Sequence, residues 1–491
     1  MKPQKPLNLV NFAEAKPNFT SLPRDKKTSD HKIVHIGIGA FSRAHQALYT
    51  QVANEKADSD WSIVGVSLRS PGVRNTLKKQ DYLYTIMERS LTEKNVRCIT
   101  CLENILVGSE DAGSVIEQIA SESAKIVTIT VTEKGYCQKN QRLDELNPDV
   151  MADIRSGEAT TMPAYLAHAL QKRSDKGLGG LTIISCDNLP DNGEILKNVV
   201  KDFADNLDVD LRDWIDDNVK FCSTMVDRIV PAATEQVIDT VSEAVGLIDD
   251  GALLCEPYRQ WVIEDNFVGS RPAWELAGAL LVADVSVYEK LKLRMLNGSH
   301  SSIAYIGSLL GDEYIHETVS RSVVQEFIER LMRDEQSQSL TVPDGINVLE
   351  YSKAIVERFT NKHVPYRNAQ VATDGSLKLP QRLLFAAIDL RKKGLTPNLI
   401  ALSVAAWIRY LVGYQQSSAY PVSDPNLAGL ASIIAANADD DVQLVKSLMA
   451  ESGVFPEELQ DDVMFECLLI KHVKNIASMG IDKAITEAVT G

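Results

Sequence analysis

The chain has 491 residues and a formal net charge of −16, with 44% hydrophobic and 24% charged residues. This length is too great for one hydrophobic core, so we expect a globular protein with two or more domains. The negative charge argues against nucleic acid and anionic membranes as partners, because both repel an acidic surface. An anionic substrate would need its own local group of Arg and Lys.

The N-terminal stretch Met1–Asp30 is polar, and no window reaches the ~18 uninterrupted apolar residues of a membrane span. Seven cysteines show no disulfide-like spacing, which favours a reducing compartment. We therefore expect a cytoplasmic protein. Cys98-Ile-Thr-Cys101 has metal-like spacing. No second Cys pair or His pair follows at the spacing typical of a zinc finger. Two buried strand cysteines are therefore favoured over a zinc site.

A strand, a glycine-rich turn and a helix follow one another near the N-terminus. The β-rich run Ile33–Ile36 leads into Gly37-Ile-Gly39-Ala-Phe-Ser42, and a helix is predicted over Gln46–Glu55. The turn matches a dinucleotide fingerprint except for Ser42 at the third glycine. The two glycines would permit a tight turn and close approach of a pyrophosphate. Glycines also end strands for other reasons, but this context favours nucleotide binding.

The chain then alternates strands with helices until about residue 290 and is mainly helical afterwards. Further strands are predicted over Trp61–Val66, Ile126–Val131 and Leu181–Ile184, and helices over Ala112–Ala120 and Thr161–Lys172. Helical periodicity continues in Leu291–Leu310, Arg321–Arg333, Ile346–Phe359, Leu395–Tyr414, Asp441–Ala450 and Asp462–Met479. We predict an α/β, Rossmann-type doubly wound domain over residues 1–290, then a mostly α-helical domain over residues 291–491.

The end of the second strand bears on the choice of nucleotide. An acidic residue there would bind the ribose 2′-hydroxyl of NAD. The sequence is instead Ser67-Leu-Arg69-Ser-Pro71-Gly72. Arg69 would either meet the 2′-phosphate of NADP or face solvent, so the residues alone leave both cofactors open.

The segment Lys292-Leu-Arg-Met-Leu-Asn297-Gly-Ser-His300 combines an amine, an amide and an imidazole. In an α-helix, at ~100° per residue, these three side chains share one broad face along roughly 12 Å. An amine among apolar neighbours loses solvation, which lowers its pKa and makes it a candidate general base. The alternative is a lysine and a histidine on an ordinary amphipathic helix.

Seven sequence blocks in this order resemble the polyol-specific long-chain dehydrogenases, the mannitol dehydrogenase family. The blocks are GIGAFSRAHQA, VTEKGY, SCDNLPDNG, MVDRIVP, CEPYRQWVIEDNF, KLRMLNGSH and DGSLKLPQR. The resemblance runs from about Ile33 to the C-terminal helices, and its fructuronate reductase branch is the more similar. It implies metal-free hydride transfer between a secondary alcohol and nicotinamide C4. Because the family contains monomers, the resemblance is compatible with a monomeric protein.

The resemblance assigns roles to matching positions. Lys292 would be the general base, with Asn188 and Asn297 donating to the substrate oxygen. His300 would orient substrate hydroxyls, and Glu289 would pass the proton from the lysine to solvent. Taken singly, each asparagine would be interpreted as a loop cap, and only the joint pattern favours the catalytic roles.

Further contacts are implied in the same way. Asp227 and Lys378 match substrate-binding positions, although Asp227 alone would also fit a partner of Arg228. Cofactor contacts are expected from Gly37, Gly39, Ala40, Phe41, Ser42, Arg43 and Glu133, and no metal is expected. Ser42 departs from the histidine common in this turn. Pro71-Gly72 replaces the acidic pair of NAD-specific mannitol dehydrogenases, but NAD-linked fructuronate reductases have a similar Pro-Gly, so NAD is expected over NADP.

Two arginines bear on the substrate, because a planar guanidinium suits a carboxylate. Arg259 and Arg367 fit the fructuronate reductase pattern better than the mannitol dehydrogenase one. Arg259 could instead pair with Glu256 or Glu264. These residues favour a sugar acid, with interconversion of D-fructuronate and D-mannonate as the expected reaction and mannitol 2-dehydrogenase as the alternative. A non-catalytic nucleotide or sugar sensor and a zinc-dependent alcohol dehydrogenase are the other classes.

Overall fold

A computed structural model describes residues 3–16, 29–417 and 422–490. Residues 17–28 of the polar N-terminal stretch therefore lie outside the described residues. The chain divides into two units, Met1–Ser286 and Val287–Gly491. The domain boundary between residues 290 and 291 stays a prediction, a few residues after this division.

Six parallel strands form the central sheet of the first unit, in the order β5-β2-β1-β6-β9-β10. Numbered among themselves, these strands follow the order 3-2-1-4-5-6 of dinucleotide-binding sheets, so the predicted doubly wound fold is confirmed. The strands of this unit are β1 Lys32–Ile36, β2 Ser62–Ser67, β3 Tyr84–Arg89, β4 Lys94–Ile99, β5 Leu102–Val107, β6 Ala124–Ile129, β7 Gln138–Lys139, β8 Arg142–Leu143, β9 Leu181–Ser185, β10 Val219–Cys222, β11 Thr224–Asp227, β12 Leu253–Cys255, β13 Gln260–Glu264 and β14 Leu280–Val282.

Both faces of the central sheet are buried, because successive strand residues point to opposite sides. In β1, Val34 and Ile36 belong to one apolar cluster and Ile33 belongs to another. The helices of this unit are α1 Ala40–Ala44, α2 Gln46–Ala57, α3 Gly72–Lys78, α4 Ala112–Ile119, α5 Pro148–Ser156, α6 Met162–Asp175, α7 Asn192–Ala204, α8 Leu211–Asn218 and α9 Glu235–Val245.

The sequence prediction is incomplete at the edges of this unit. The small sheets β12-β3-β4 and β11-β13-β14 were not predicted. The strand predicted over Ile126–Val131 ends at Ile129, because the Val131 amide bonds to the Asp187 side chain rather than to a neighbouring strand. Cys98 lies in β4 and Cys101 follows it, and both are buried.

The second unit is helical and has one large apolar cluster. Its α-helices are α10 Ser286–Leu291, α11 Gly298–Leu310, α12 Ile315–Val319, α13 Ser322–Arg330, α14 Val348–Phe359, α15 Asn368–Val371, α16 Gly375–Leu379, α17 Phe385–Lys392, α18 Asn398–Ser417, α19 Leu427–Ala436, α20 Asp441–Glu451, α21 Glu457–Gln460, α22 Val463–Met479 and α23 Ile481–Thr490. Among the described helices, including the 20-residue α18, none combines the length and apolar composition that a bilayer crossing requires.

Three stretches of π-helix interrupt these helices: Lys292–Asn297, Leu331–Gln336 and Pro380–Leu384. The continuous α-helices predicted over Leu291–Leu310 and Arg321–Arg333 are therefore wrong in part. Hydrophobic spacing indicated the helices but not this local widening. π-Turns are rare and occur frequently at functional sites.

A buried carboxylate caps the longest helix. Glu335, only 6% exposed, accepts hydrogen bonds from the amides of Leu399 (2.7 Å) and Ile400 (2.8 Å) in the first turn of α18. These amides have no partner within the helix, so an acceptor from the π-stretch Leu331–Gln336 replaces the missing cap. Burial nevertheless raises the pKa of Glu335 to about 7, against the effect of these hydrogen bonds.

The turn after β1 brings two backbone segments very close together. Gly37 has φ +94°, and a Cβ atom placed on it would lie 2.0 Å from the Thr130 carbonyl oxygen. Gly39 is different, because a Cβ there would meet only the Gly37 carbonyl oxygen, at 3.8 Å. Only glycine fits at residue 37.

We expect the stability of the protein to depend on pH through Glu335. The pKa is raised in the folded state, so the stabilising contribution is complete below the unfolded value, near 4.5, and is lost as the pH rises through about 7. Relative to wild type, the unfolding free energy of Glu335→Gln should therefore increase between pH 5 and 8, towards a limit of about 3 kcal/mol. Denaturant unfolding measures this, with the exposed Glu326→Gln as control. A difference independent of pH would contradict the assignment.

We expect Gly37→Ala to lower the unfolding free energy by at least about 3 kcal/mol, because the new methyl group meets a backbone carbonyl at a positive φ. Gly39→Ala should cost less than about 1 kcal/mol, since the space around it is open. Thermal and denaturant unfolding of both variants check this. Equal losses would show that the close approach to Thr130 is not what limits residue 37.

Candidate active site

A directed chain of hydrogen bonds fixes the turn after β1. His35 Nδ1 lies 2.7 Å from Thr128 Oγ1, and its Nε2 lies 2.9 Å from Thr130 Oγ1. The Thr130 hydroxyl donates its proton to the Gly37 carbonyl oxygen at 2.8 Å. Since this hydroxyl has no second proton, its oxygen must accept a hydrogen bond from His35 Nε2–H. His35 Nδ1 then accepts a hydrogen bond from the Thr128 hydroxyl. Burial lowers the pKa of His35 to about 4, so the ring is neutral at pH 7.

The residues after the turn pack beneath it. Arg43 is buried and donates from Nε to the Gly39 carbonyl oxygen (3.2 Å) and from Nη1 to that of Gly251 (2.9 Å). The Ser42 hydroxyl, also buried, lies 3.3 Å from the Gly39 carbonyl oxygen. Phe41 stacks on His45 with ring centroids 5.0 Å apart, and Ala40 begins α1. The expected contacts of these residues with a nucleotide stay predictions.

Asp187 joins the loops that follow β6 and β9. Its Oδ2 accepts from the Val131 amide (3.0 Å) and the Tyr136 hydroxyl (2.9 Å), and its Oδ1 accepts from the Thr132 amide (3.0 Å). Thr132 has φ +69°, a strained conformation for a β-branched residue. Burial raises the pKa of Asp187, although these hydrogen bonds act in the opposite direction.

These contacts place two predicted site residues. Glu133 follows the strained Thr132 and Asn188 follows Asp187, and both side chains are exposed. Asp187 itself was missed, although it stands inside the SCDN block. The sequence shows that an aspartate stands at this position, but it does not show which backbone amides the aspartate binds.

Asp227 ends β11 and is buried, only 4% exposed. The neighbouring Arg228 does not need it as the paired acid, because Arg228 forms an ion pair with Glu88. Arg228 also donates to the carbonyl oxygens of Ala44 (2.6 Å) and Glu256 (2.7 Å). The simple Asp227–Arg228 pair that the sequence suggested is therefore replaced by a wider network.

Arg259 has a carboxylate partner, but neither of those that the sequence suggested. Its Nη1 lies 3.4 Å from Glu88 Oε1, and its guanidinium lies over the Tyr49 ring, 5.2 Å from the centroid. Glu256 and Glu264 instead accept from backbone amides. The charge of Arg259 is thus shared with Glu88, and its role with a substrate stays a prediction.

In the second unit, the π-turn changes the geometry of the Lys292 segment. The Gly298 amide donates to the Leu293 carbonyl oxygen, five residues back. With this spacing, residues five apart lie on the same side of the helix in successive turns. The side chains of Lys292 and Asn297 therefore project at a smaller angle to each other than they would in an α-helix. Lys292 is buried, only 7% exposed. Asn297 Oδ1 is buried and has no hydrogen-bond partner within the described part of the chain.

His300 is half-buried between two aromatic rings. It stacks on Phe359 with centroids 5.0 Å apart and meets Tyr366 edge-on at 5.7 Å. Glu289 lies in α10, just before Lys292, and is partly exposed. The rings fix the orientation of the imidazole.

The other predicted substrate residues of this unit are engaged locally. Arg367 is exposed, lies 3.4 Å from Glu313 and covers the Tyr314 ring at 5.9 Å. Lys378 Nζ donates to Thr373 Oγ1 at 3.1 Å.

Arg382 was quoted in the KLPQR block but not proposed as a site residue. Its Nη1 donates to Ser301 Oγ at 2.9 Å and lies 3.5 Å from the Asn297 carbonyl oxygen. The π-stretch Pro380–Leu384 carries it, and sequence periodicity gave no signal of that stretch.

Two further candidates from the sequence are Arg69, after β2, and a metal site at Cys98 and Cys101. Arg69 is 89% exposed and lies 3.8 Å from Asp149. Within residues 3–16, 29–417 and 422–490, no three His, Cys, Asp or Glu side chains form a group that could bind a metal ion.

Comparison with known proteins covers both units. Family models described as the mannitol dehydrogenase Rossmann domain and the mannitol dehydrogenase C-terminal domain match residues 31–276 and 284–477. D-mannonate oxidoreductase of Escherichia coli (strain K12) is 41% identical over 459 residues, 91% of this chain and 94% of that protein. Mannitol dehydrogenase 2 of Saccharomyces cerevisiae is 35% identical over 93% of this chain and 92% of its own length.

A solved structure also matches. Pseudomonas fluorescens mannitol 2-dehydrogenase, in a ternary complex with NAD and D-mannitol, has a TM-score of 0.85 and 31% sequence identity, with 99% of each chain covered. The resemblance noted in the sequence is confirmed, and this chain belongs to the mannitol dehydrogenase family of oxidoreductases.

Proposed function

We propose that this protein is an NAD-dependent oxidoreductase that interconverts D-fructuronate and D-mannonate. The observation that carries the proposal is its 41% identity with Escherichia coli D-mannonate oxidoreductase over 91% of the chain. All seven cysteines are free thiols, which supports work in a reducing compartment such as the cytoplasm.

The turn after β1 suits a dinucleotide. The space that a Cβ would fill at Gly39 is open, so a pyrophosphate could approach the backbone at the start of α1. Gly37, Ala40, Phe41, Ser42, Arg43 and Glu133 are the other proposed contacts. Arg69 has an acidic neighbour in Asp149, and a relative of known structure binds NAD, which together favour NAD over NADP. When bound, NAD accepts a hydride at nicotinamide C4.

Lys292 is the proposed general base. In the oxidation direction, its neutral amine takes the hydroxyl proton as the substrate C–H bond gives up its hydride and the C=O bond forms. Burial helps because it disfavours the charged ammonium, as proton abstraction near neutral pH requires. Glu289 would then pass this proton to solvent.

The remaining residues would hold and polarise the substrate. Asn188 and Asn297 donate to the developing oxygen, and His300, clamped between Phe359 and Tyr366, orients a hydroxyl. Asp227, Lys378, Arg259 and Arg367 are the further proposed substrate contacts. Both arginines already have carboxylate neighbours, so neither offers an uncompensated charge.

Mannitol 2-dehydrogenase is the second candidate. It is favoured by the match to the Pseudomonas fluorescens enzyme over 99% of both chains and by the local pairing of Arg259 and Arg367. A neutral polyol would not require a free guanidinium.

We expect Lys292→Ala to lower kcat by about 100- to 10,000-fold, because it removes the general base. NADH binding, measured by fluorescence titration, should change little. The matched control is Lys290→Ala, which removes an exposed lysine two residues away. Wild-type turnover in Lys292→Ala would dismiss the base assignment.

We expect D-fructuronate to be reduced with a kcat/KM at least about tenfold above that of D-fructose, since one charge-assisted contact to a carboxylate contributes that much. The measurement is NADH oxidation with each ketone, repeated with NADPH, which should be the poorer reductant. A preference for D-fructose would move the assignment to mannitol 2-dehydrogenase.

A further inference from the structure

Arg382 has a different environment from three other arginines of the second unit that are buried or partly buried. Arg294 pairs with Asp389 at 2.6 Å, Arg391 with Asp462 at 2.7 Å and Arg409 with Asp441 at 2.6 Å. Among the described residues, no carboxylate oxygen lies within 4.0 Å of the Arg382 guanidinium. Its hydrogen-bond acceptors are neutral: the Ser301 hydroxyl and the Asn297 carbonyl oxygen.

This positive charge is poorly solvated. Burial lowers the pKa of Arg382, opposed only by the nearby Tyr305. Tyr305 lies one helical turn after Ser301 on α11, is fully buried, and its hydroxyl has no hydrogen-bond partner in the described part of the chain. Among the described residues, no carboxylate accepts a hydrogen bond from either of these donors, and an uncompensated buried charge is costly.

The backbone holds Arg382 beside the π-turn. A Cβ atom on Gly298 would lie 2.7 Å from the Arg382 carbonyl oxygen, so glycine at residue 298 lets the two π-stretches approach closely. Asn297, His300 and Arg382 are all partly exposed, whereas Ser301 and Tyr305 behind them are buried. The Arg382 residue therefore keeps part of its surface accessible.

We propose that Arg382 binds the carboxylate of the sugar-acid substrate. This inference rests on the proposed function and assigns its specificity to a residue other than Arg259 or Arg367. Nη1 is held by Ser301 and the Asn297 carbonyl oxygen, which leaves the Nε–Nη2 edge to form the paired hydrogen bonds that a carboxylate accepts. The anion supplies the missing negative charge. Because the carboxylate and the reacting carbon lie near opposite ends of a six-carbon chain, this contact also sets the chain's register along the π-turn.

The test compares D-mannonate with D-mannitol, which has a neutral CH₂OH group in place of the carboxylate. Arg382→Gln should lower kcat/KM for D-mannonate by about 10- to 150-fold, mainly through KM, as expected for a lost charge-assisted contact. Turnover of D-mannitol should change by less than about threefold. Arg382→Lys should fall between wild type and Arg382→Gln for D-mannonate, since it keeps the charge but not the planar fork.

Arg333→Gln is the matched control, because that arginine is half-exposed and paired with Asp334. Melting temperature and NADH affinity report on the fold of each variant. Equal losses on both substrates, or lost NADH binding in Arg382→Gln and Arg382→Lys alike, would show a structural role and overturn the inference. Unchanged D-mannonate kinetics in Arg382→Gln would overturn it while leaving the proposed function intact. A wild-type enzyme that prefers D-mannitol would instead overturn the proposed function, and this inference with it.

Discussion

The hydrogen bond from the Gly298 amide to the Leu293 carbonyl oxygen sets the arrangement of the candidate catalytic residues. It replaces the four-residue spacing of an α-helix with five, so that Lys292 and Asn297 follow each other on one side of the turn. The same widened turn is anchored by Arg294, which donates to Ser339 and pairs with Asp389. The amine and the amide of the proposed chemistry are therefore positioned by backbone geometry rather than by a flexible loop.

Buried ionisable groups organise both units in a common way. Asp187 binds amides of the preceding loop, Arg228 binds Glu88 and two carbonyl oxygens, and Glu335 caps the start of α18. Each of these groups joins segments that are far apart in sequence, because a buried charge needs several hydrogen bonds. Arg382 differs from Arg228 because its acceptors are all neutral, and a substrate carboxylate would complete it.

Much of the first unit could be predicted from local patterns. The strand Ile33–Ile36, the glycine turn and the following helix are encoded by neighbouring residues, so their prediction was confirmed apart from small shifts in the ends. The strand ending at Ile129 was predicted too long, because Asp187, more than fifty residues later, takes the Val131 amide. Long-range partners of this kind leave no trace in a short window of sequence.

The candidate site shows the same limit. Sequence blocks indicated Lys292, Asn297 and His300, but the α-helical spacing used to group them is not the one that the chain adopts. Glu88 as the partner of Arg259 was equally hidden, since 171 positions separate the two residues. That no described carboxylate lies beside Arg382 becomes visible only when the distances between ionisable groups are known.

The π-turn also has a consequence for how this helix tolerates change in length. A widened turn holds one residue more than the α-helical turn it replaces, and each α-helical residue advances the direction of a side chain by about 100°. Deleting a single residue between Lys292 and Asn297 would let the segment relax to an α-helix with His300 and all that follows kept near their present direction, whereas closing the turn without a deletion would rotate them by about that angle. Loss of one residue here and loss of the widened turn are therefore coupled, and the turn is what absorbs the extra residue.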